Sequence, residues 1–522
     1  MQRQTQTATY WQELTIEEED LEHLYELILE EERPRTSEDL ALALIEMRCR
    51  EEEALIKREL ERGTLYQPKD SYEVGEKLVF PAFGFALGTV IGVRPGHNPR
   101  YGDFKVIQVR FEGEEGTREF VSELAHPHKL NRGKEELLAE ALVPPDQLYA
   151  QYGQVVREKL VESLRANDEF VSFGDEWFLR GLLSEIHVGH LNIAEAVLDV
   201  SGKPLPPEEI LKELDLPPRP KEALVFSVNY ALAQDERFDE VGPEGRVLWF
   251  LRRLEPLQAL ECPMHLRYQP LPYDRASLDE ELLALEGELD DEAADVEAPP
   301  EELDSVTIVL TYPHRRAGTI PLTPRTRGFF PRRGRGERTM VTLIDGRTGS
   351  PMPGWVVHRH NYVCGLDRWY EEHDLPTGAY IKLERTDDPL AVVVDYLPRR
   401  PKSEWVRVAM AVEGRLTFEM RKRIIACEYD ELMIVGEEDR TLLDALWLET
   451  EREQKPIFEV MCRVFPELAK LNPQGTVHAK TLYSAVNVIK RSPPGPIFAE
   501  LASRACFVPM GNGYWVYDQR AR

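Results

Sequence analysis

The sequence predicts a multidomain α+β protein, and three observations carry this prediction. Its 522 residues are enough for about three to five domains of roughly 100–200 residues each. The hydrophobic pattern changes from a helical period to a period of two near residue 72, which indicates helices followed by short strands. A motif that ends in Trp-Phe-Leu-Arg occurs at 177–180 and again at 249–252, which indicates an internal repeat.

Composition and charge exclude several classes of protein. The chain carries 64 Lys or Arg against 93 Asp or Glu, and its net charge of −29 disfavours indiscriminate binding to nucleic acid. No window approaches about 18 consecutive apolar residues, so we expect no contact with a membrane. The six cysteines are scattered without a CxxC pair, which excludes the usual zinc ribbon and favours a reducing compartment. Since no apolar leader is visible, we expect a cytoplasmic protein. We also expect it to be nucleoid-associated and to have no cofactor.

Charge is distributed unevenly along the chain. Residues 278–304 contain 13 Asp or Glu and no Lys or Arg. This composition is typical of disorder, and we predict an acidic disordered linker over 257–304. The linker is either a solvated spacer or a decoy that competes with DNA for the basic region after it. Residues 305–347 carry nine Arg against two acids, so one basic domain lies within an acidic protein.

The N-terminal region, 1–70, is predicted to be helical. A first helix covers 15–33, with Thr15 and Glu18 as its capping box, and a second helix covers 36–62. Basic residues are sparse on the first helix. The pair is therefore predicted to be an acidic helical hairpin, with the front of a helix-turn-helix as the alternative.

Residues 71–132 are predicted to form an SH3-like β barrel. Alternating apolar and polar residues between glycines and prolines indicate four or five short strands. The segment opens with VG-x-x-(L/V)-V-(F/Y)-P-x-x-G and continues with G-x-V, carried by Val74, Gly75, Leu78, Val79, Phe80, Pro81, Gly84, Gly88 and Val90. In this motif it resembles the polymerase-interacting domain of the CarD transcription regulators, which implies RNA polymerase as a partner. The alternative is a generic SH3-like module of unknown partner. For the chain as a whole, the expected protein partner is RNA polymerase or another protein subunit.

The two copies of the repeat are predicted to be winged-helix-like units, at 135–185 and 186–256. In each, an amphipathic helix precedes a β-hairpin that ends in Trp-Phe-Leu-Arg, and the hairpin turn varies in length. Both tryptophans are predicted to be core residues. Phe507 and Trp515 repeat the pattern and predict a third winged-helix-like domain at 450–522.

The copy at 186–256 is the most complete. Its pattern is carried by Ile193, Ala194, Val197, Leu198, the segment GKPLPPEEIL at 202–211 and the wing ERFDEVG…WFLR. In these residues it resembles the HARE-type helix-turn-helix domain of the RNA polymerase delta subunit and of some restriction enzymes and chromatin regulators. The resemblance implies a module associated with transcription or DNA. Its third helix, 221–234, has only Lys221 as a base, so we predict contact with protein or a structural role.

Residues 305–445 are predicted to form a basic, closed β-barrel domain with few helices. Its eight short strands are VTIVLTY, GTIPLTP, TMVTLID, PGWVVHR, AYIKLER, LAVVVDYL, EWVRVAM and DELMIVG. An ordered set of residues spans the domain: Val341, Leu343, Trp355, Val357, Gly365, Leu366, Trp369, Tyr370, Leu375, Gly378 and Ile381. In this order it is similar to the DNA-binding pseudobarrel of plant auxin-response factors and of the effector domain of the restriction enzyme EcoRII. The resemblance implies loops that enter the major groove.

We predict that Arg-rich loops of this domain, within 306–425, bind double-stranded DNA. Arg pairs with phosphates and with the O6 and N7 atoms of guanine, and Phe329 and Phe330 are expected to stack on bases or sugars. The alternative is a solvated basic surface or a docking face for the acidic segment. The predicted DNA-binding residues are Arg315, Arg316, Arg325, Arg327, Arg332, Arg333, Arg335, Arg338, Lys480, Lys490 and Arg491.

No catalytic site is predicted. His358, His360 and His373 have no fourth ligand at a fixed spacing, so we interpret them as surface histidines rather than metal ligands. Asp395 and Glu404 come closest to the acid and Glu-x-Lys of a restriction-type nuclease, but Glu404 is followed by Trp405-Val406 instead of x-Lys, and common catalytic motifs are absent. The favoured function is a non-enzymatic, transcription-associated DNA-binding regulator. The alternatives are the DNA-specificity subunit of a restriction or defence system and a structural scaffold that does not bind DNA.

Overall fold

A computed structural model describes residues 3–112, 116–133, 143–297 and 303–522. The contacts within it divide the chain into two compact units. Unit 1 contains residues 1–187 and 216–231, and unit 2 contains residues 188–215 and 232–522. Both units combine helices with small sheets, so the protein is mixed α+β, as the sequence predicts.

The elements up to residue 187 begin with helices and continue with strands. In chain order they are α1 (Ala8–Gln12), α2 (Glu18–Glu31), β1 (Arg35–Thr36), α3 (Ser37–Glu61), β2 (Thr64–Leu65), β3 (Lys77–Phe80), β4 (Ala86–Asn98), β5 (Gly102–Phe111), β6 (Arg118–Ser122), α4 (Pro145–Ala166), β7 (Phe170–Phe173) and β8 (Glu176–Leu179). Helix α2 begins later than predicted. Its capping box joins Glu17 and Asp20 instead of Thr15 and Glu18.

Strands β2 to β6 form one five-stranded sheet in sequential order. The first pair is parallel and the others are antiparallel. The strand-rich character predicted for 71–132 is therefore confirmed. Its core is aromatic. The ring centroids of Tyr66, Phe111 and Phe120 lie 4.7, 5.1 and 4.6 Å from that of Phe80, and those of Tyr66 and Phe120 are 5.5 Å apart.

The later elements alternate short helices with two larger groups of strands. In chain order they are α5 (Val188–Ser201), α6 (Pro207–Leu211), α7 (Lys221–Ala233), β9 (Phe238–Glu240), β10 (Trp249–Leu251), α8 (Leu257–Leu260), α9 (Glu280–Leu289), β11 (Ser305–Val309), α10 (Tyr312–Ala317), β12 (Thr319–Pro321), β13 (Arg338–Asp345), β14 (Pro351–Val357), β15 (Tyr362–Cys364), α11 (Asp367–Glu372), β16 (Tyr380–Arg385), β17 (Ala391–Tyr396), β18 (Pro398–Val412), β19 (Arg415–Cys427), β20 (Val435–Glu437), α12 (Arg440–Arg452), α13 (Ile457–Ala469), β21 (Val477–His478), α14 (Ala479–Val486), α15 (Pro494–Ser503), β22 (Phe507–Gly511) and β23 (Tyr514–Tyr517).

The internal repeat is confirmed and has three copies. Each copy runs helix, short extended segment, helix, helix and hairpin, over 18–179 (repeat 1), 188–251 (repeat 2) and 457–517 (repeat 3). In each copy the last strand of the hairpin pairs with both the short segment and the first hairpin strand. In repeat 1 the five-stranded sheet is inserted between the second and third helices, so parts of the predicted 1–70 and 135–185 domains form one repeat.

The three repeats also share their strand register. Trp177 lies opposite Arg35, Trp249 opposite Leu205 and Trp515 opposite Val477. In each hairpin a Phe lies opposite the residue two places after the Trp, and these Phe residues are Phe170, Phe238 and Phe507. All three tryptophans are no more than 6% exposed, which confirms the prediction that the repeated aromatic residues are core residues.

The basic region contains an open seven-stranded sheet, where a closed eight-stranded barrel was expected. The strand order is β11-β16-β17-β13-β14-β15-β12, so β11 and β12 are edges. The predicted strand EWVRVAM belongs instead to β18, which forms a second sheet with β19 and β20. The two edge strands of the first sheet, β11 and β12, do not pair with each other, because the chain leaves this sheet at β18 and forms a long hairpin with β19. The apolar residues of the predicted pseudobarrel pattern are buried, while Gly365 and Gly378 have positive φ angles.

Over its described residues, 257–297 and 303–304, the acidic segment differs from the disordered linker that its composition predicts; residues 298–302 of that prediction lie outside the described residues. Helix α9 lies within it, capped by the Asp279 side chain, which accepts a hydrogen bond from the Leu282 N–H. Leu278, Leu282 and Leu289 are buried in the same core as repeat 3. An amphipathic spacing of leucines therefore overrides the acidic composition here, because the apolar face has a neighbouring surface on which to pack.

Candidate nucleic-acid interface

The loop that connects β12 to β13, residues 322–337, contains five of the arginines predicted to bind DNA. Backbone and hydroxyl contacts hold its first half, where the Thr326 hydroxyl donates to the Pro321 carbonyl over 2.7 Å. Phe329 and Phe330 anchor its middle, since both are buried in the core of the seven-stranded sheet. The expectation that these two rings stack on bases is therefore wrong. They fix the loop, and the arginines around them face outward.

The second half of the loop is tied to the hairpin turn of repeat 2. The Glu240 carboxylate accepts hydrogen bonds from the N–H groups of Gly242 and Gly336, each over 2.9 Å. The Glu244 N–H donates to the Arg332 carbonyl. A Cβ atom at Gly336 would lie 2.0 Å from the Glu240 carbonyl oxygen, so glycine is required for this close approach.

These anchors gather six exposed arginines, which we call the arginine cluster: Arg246, Arg327, Arg332, Arg333, Arg335 and Arg359. Arg246 lies on the repeat 2 turn, which bridges to Arg333 through Pro243. Arg359 follows β14 and lies 3.9 Å from the exposed Glu337 carboxylate. The cluster therefore combines four predicted residues with two that are distant in sequence.

The pKa of His358 is sensitive to the positive charge of the arginine cluster. Burial is the main cause that lowers the pKa of His358 to about 4, and the guanidinium groups of Arg333 and Arg327 lower it further. Its imidazole is within 2.9 Å of the Thr339 hydroxyl. His358 is therefore neutral near pH 7, and the positive charge of this surface comes from guanidinium groups.

Three predicted arginines of the same region are largely withdrawn from solvent. Arg316 forms ion pairs with Asp444 and Glu437. The Arg338 Nε atom lies 2.7 Å from the fully buried Glu255 carboxyl group, and the Arg338 guanidinium also pairs with Asp239. Arg315 donates to the Leu375 carbonyl, and burial lowers its pKa. Because a buried charge requires a partner, these residues belong to the fold and not to the interface.

The predicted cations of the C-terminal region are also paired. The Arg491 Nη2 atom lies 2.7 Å from both the Asp291 and Glu292 carboxylates, and only 1% of the Arg491 side chain is exposed. Lys480 pairs with Asp430 and, over 3.2 Å, with Glu288. Lys490 lies 3.3 Å from Glu451, and Arg325 lies 3.6 Å from Asp290.

Part of the acidic segment thus neutralises predicted DNA-binding residues. Glu288, Asp290, Asp291 and Glu292 are the partners of Lys480, Arg325 and Arg491. This arrangement corresponds to the alternative in which the basic residues form a docking face for the acidic segment, and it applies to these three cations.

The histidines considered as metal ligands are separated by their contacts. His358 contacts Thr339, the His360 ring stacks at 6.3 Å from Tyr362, and His373 Nε2 lies 3.4 Å from Asp345. Within the described ranges, no three His, Cys, Asp or Glu side chains are grouped as a metal site requires.

Comparisons with known proteins leave the chain without an assigned family: neither protein families, curated proteins nor solved structures give a match. Among the helices that the structure describes, none has both the length and the apolar character needed to cross a bilayer. The arginine cluster is therefore interpreted from its own chemistry.

Proposed function

We propose that this protein is a non-enzymatic DNA-associated regulator that contacts double-stranded DNA through the arginine cluster. The observation that carries the proposal is the exposure of six guanidinium groups around one anchored loop, in a chain with a net charge of −29. Planar guanidinium groups pair with phosphates in a bidentate manner and recognise guanine in the major groove. A preorganised loop loses little conformational entropy on binding.

We further propose that the three repeats are winged-helix modules that contact protein partners. Their shared order of helix, short extended segment, helix, helix and hairpin supports this proposal. The third helices of repeats 2 and 3 are poor in bases, since α7 has only Lys221 and α15 has no Lys or Arg, whereas α4 of repeat 1 carries Arg157, Lys159 and Arg165. A helix with so few cations is a weak phosphate binder. For repeats 2 and 3, contact with a protein is therefore favoured over contact with DNA, with RNA polymerase or another transcription subunit as the partner class.

The five-stranded sheet supports the same division of roles. It carries a cavity of about 870 Å³ lined by aromatic side chains that include Tyr66, Phe80, Phe83, Phe104 and Phe120. Aromatic side chains are enriched where proteins bind one another. We propose that this sheet is an SH3-like partner module, as the resemblance to CarD regulators implies.

Duplex binding by matched variants tests the proposed DNA contact. Arg332→Glu/Arg333→Glu/Arg335→Glu removes three cluster cations, and Arg368→Glu/Arg452→Glu/Arg520→Glu makes the same charge change at exposed positions outside it. Fluorescence anisotropy with a labelled duplex of about 25 bp, a length of some two helical turns, is expected to show at least a tenfold loss of affinity for the first variant only. Equal losses would show a general charge effect and contradict a defined interface.

A further inference from the structure

The long hairpin formed by β18 and β19 has one face that changes from buried to exposed along its length. Residues directly opposite each other share a face, and the pairs Ala409–Phe418, Arg407–Met420, Trp405–Lys422 and Ser403–Ile424 follow one another on it. Near the turn, Ala409 and Phe418 are buried in the core shared with repeat 3. Towards the open end, Trp405 is 60% exposed and Ile424 is 70% exposed.

Trp405 differs from every other tryptophan of the chain. The chain has eight tryptophans, and the other seven are no more than 6% exposed. Met420 and Ile424 extend the apolar surface beside the Trp405 ring. An indole ring left in water beside other apolar groups is typical of a binding surface and not of a fold-stabilising position.

A positive charge lies beside this exposed ring, on a basic hairpin. The Lys422 ammonium lies over the Trp405 ring, 5.3 Å from its centroid. Exposed Arg400 lies towards the open end of the same hairpin, while Lys402 and Arg423 lie on its opposite face, where Lys402 is 3.1 Å from Glu404. Over residues 398–427 the hairpin carries eight Lys or Arg against three Glu, although the whole chain is strongly acidic. The ligand of this surface is therefore expected to be anionic as well as flat and apolar.

We propose that the exposed face of the β18–β19 hairpin binds single-stranded nucleic acid, with a base stacked on Trp405 and a phosphate paired with Lys422, which lies on the same face. Bases stack on aromatic rings irrespective of sequence while nearby cations follow the backbone. A second copy of the chain is a poorer occupant, because a symmetric contact would bring two copies of this basic hairpin together. The site is separate from the arginine cluster and does not depend on duplex binding.

Intrinsic fluorescence of the full chain gives a direct test, because acrylamide reaches the exposed Trp405 far more readily than the buried tryptophans. Titration with dT and U oligomers of about 12 nucleotides, within the usual range of single-strand sites, is expected to quench the emission and to protect it from acrylamide. Trp405→Ala should remove both effects and weaken binding about tenfold, the scale of one base stack. Trp405→Phe should restore most of the affinity.

The controls separate this proposal from the others. Val412→Ala removes an exposed apolar side chain near the turn of the same hairpin and should bind like the wild type. The Arg332/Arg333/Arg335 variant should keep the oligomer-dependent quenching even if duplex binding is lost. Unchanged emission with both oligomers would overturn the proposal. Self-association that disappears in Trp405→Ala, without oligomer binding, would overturn it in favour of a second copy as the occupant.

Discussion

Arg491 and Asp291 lie 200 residues apart in the sequence, yet their side chains meet in the interior of unit 2, with Nη2 2.7 Å from Oδ1. Each of these side chains is 1% exposed. The Tyr483 hydroxyl donates to the second oxygen of Asp291 over 2.6 Å, and Glu292 is a second carboxylate partner of Arg491. The acidic segment is therefore attached to repeat 3 by a buried ionic network.

Breaking this network should destabilise unit 2. Arg491→Met leaves the Asp291 and Glu292 carboxylates without their cation, and removal of one partner from a buried ion pair costs about 3–5 kcal/mol. Calorimetric unfolding of the full chain is the measurement. Arg504→Met is the matched control, since Arg504 forms a more exposed pair with Glu500 and should change stability by no more than about 1 kcal/mol. Similar melting curves for both variants would contradict the buried network.

The shared aromatic position of the repeats gives a second prediction. Trp177→Ala, Trp249→Ala and Trp515→Ala should each cost about 3–5 kcal/mol, because each substitution empties a filled core site. Trp405→Ala is the control and should change stability by about 0.5 kcal/mol or less, since its ring is mostly exposed. Thermal unfolding checks both. If a repeat tryptophan could be removed without loss of stability, the common register would not be a packing feature.

Glu255 predicts a specific dependence of stability on pH. Burial raises the pKa of Glu255 to about 8; the neighbouring Asp239 carboxylate adds to the rise, and Arg338 opposes it. This folded-state value lies above the ordinary value of about 4.3. The contribution of Glu255 to the free energy of unfolding is therefore fully present below about pH 4 and is lost as the pH rises towards 8.

Glu255→Gln removes this titration while it keeps the shape of the side chain. Its melting temperature should fall less than that of the wild type between about pH 5 and pH 8.5, and Glu244→Gln, an exposed change, should follow the wild type. Thermal unfolding at three pH values within this range makes the comparison. Parallel profiles for the wild type and Glu255→Gln would show that Glu255 does not titrate in this range.

Local patterns in the sequence were sufficient for much of the fold. Helix α3 begins at Ser37 after a Thr36 cap, as predicted, because capping depends on neighbouring residues. The repeat was visible because its core Trp and Phe recur at similar spacing. The pairing of the two-residue strand β1 with β8 was not predictable, since Arg35 and Thr36 carry no strand pattern of their own.

The candidate site was predictable only in part, because the burial of a charged residue depends on distant partners. Arg332 and Arg338 look alike in the sequence, but Asp239 and Glu255 withdraw Arg338 from the surface. Arg246 and Arg359 join the cluster through contacts that no local pattern signals. The β19 strand was missed because the charged run around Arg421 obscures the alternation of Leu416 and Phe418.

Proteolysis of the acidic segment tests whether it is folded by its leucine packing or disordered as its composition suggests. Glu286 is 1% exposed within α9, so a Glu-specific protease should not cut there under native conditions, since cleavage requires an accessible and locally unfolded backbone. Mass spectrometry of the early fragments identifies the cut sites. Rapid cleavage after Glu286, before any cleavage in the exposed loops, would show that the segment is disordered, as its composition alone suggests.

The salt dependence of duplex binding tests the central claim most directly. Each phosphate contact contributes about 0.9 to the slope of log affinity against log salt concentration. We predict that the full chain binds duplex DNA at about 50 mM salt and that reversal of Arg332, Arg333 and Arg335 lowers the slope by about 2–3, as expected for three lost contacts. No duplex binding by the wild type at this salt concentration, or an unchanged slope in the variant, would contradict the arginine cluster as a DNA interface.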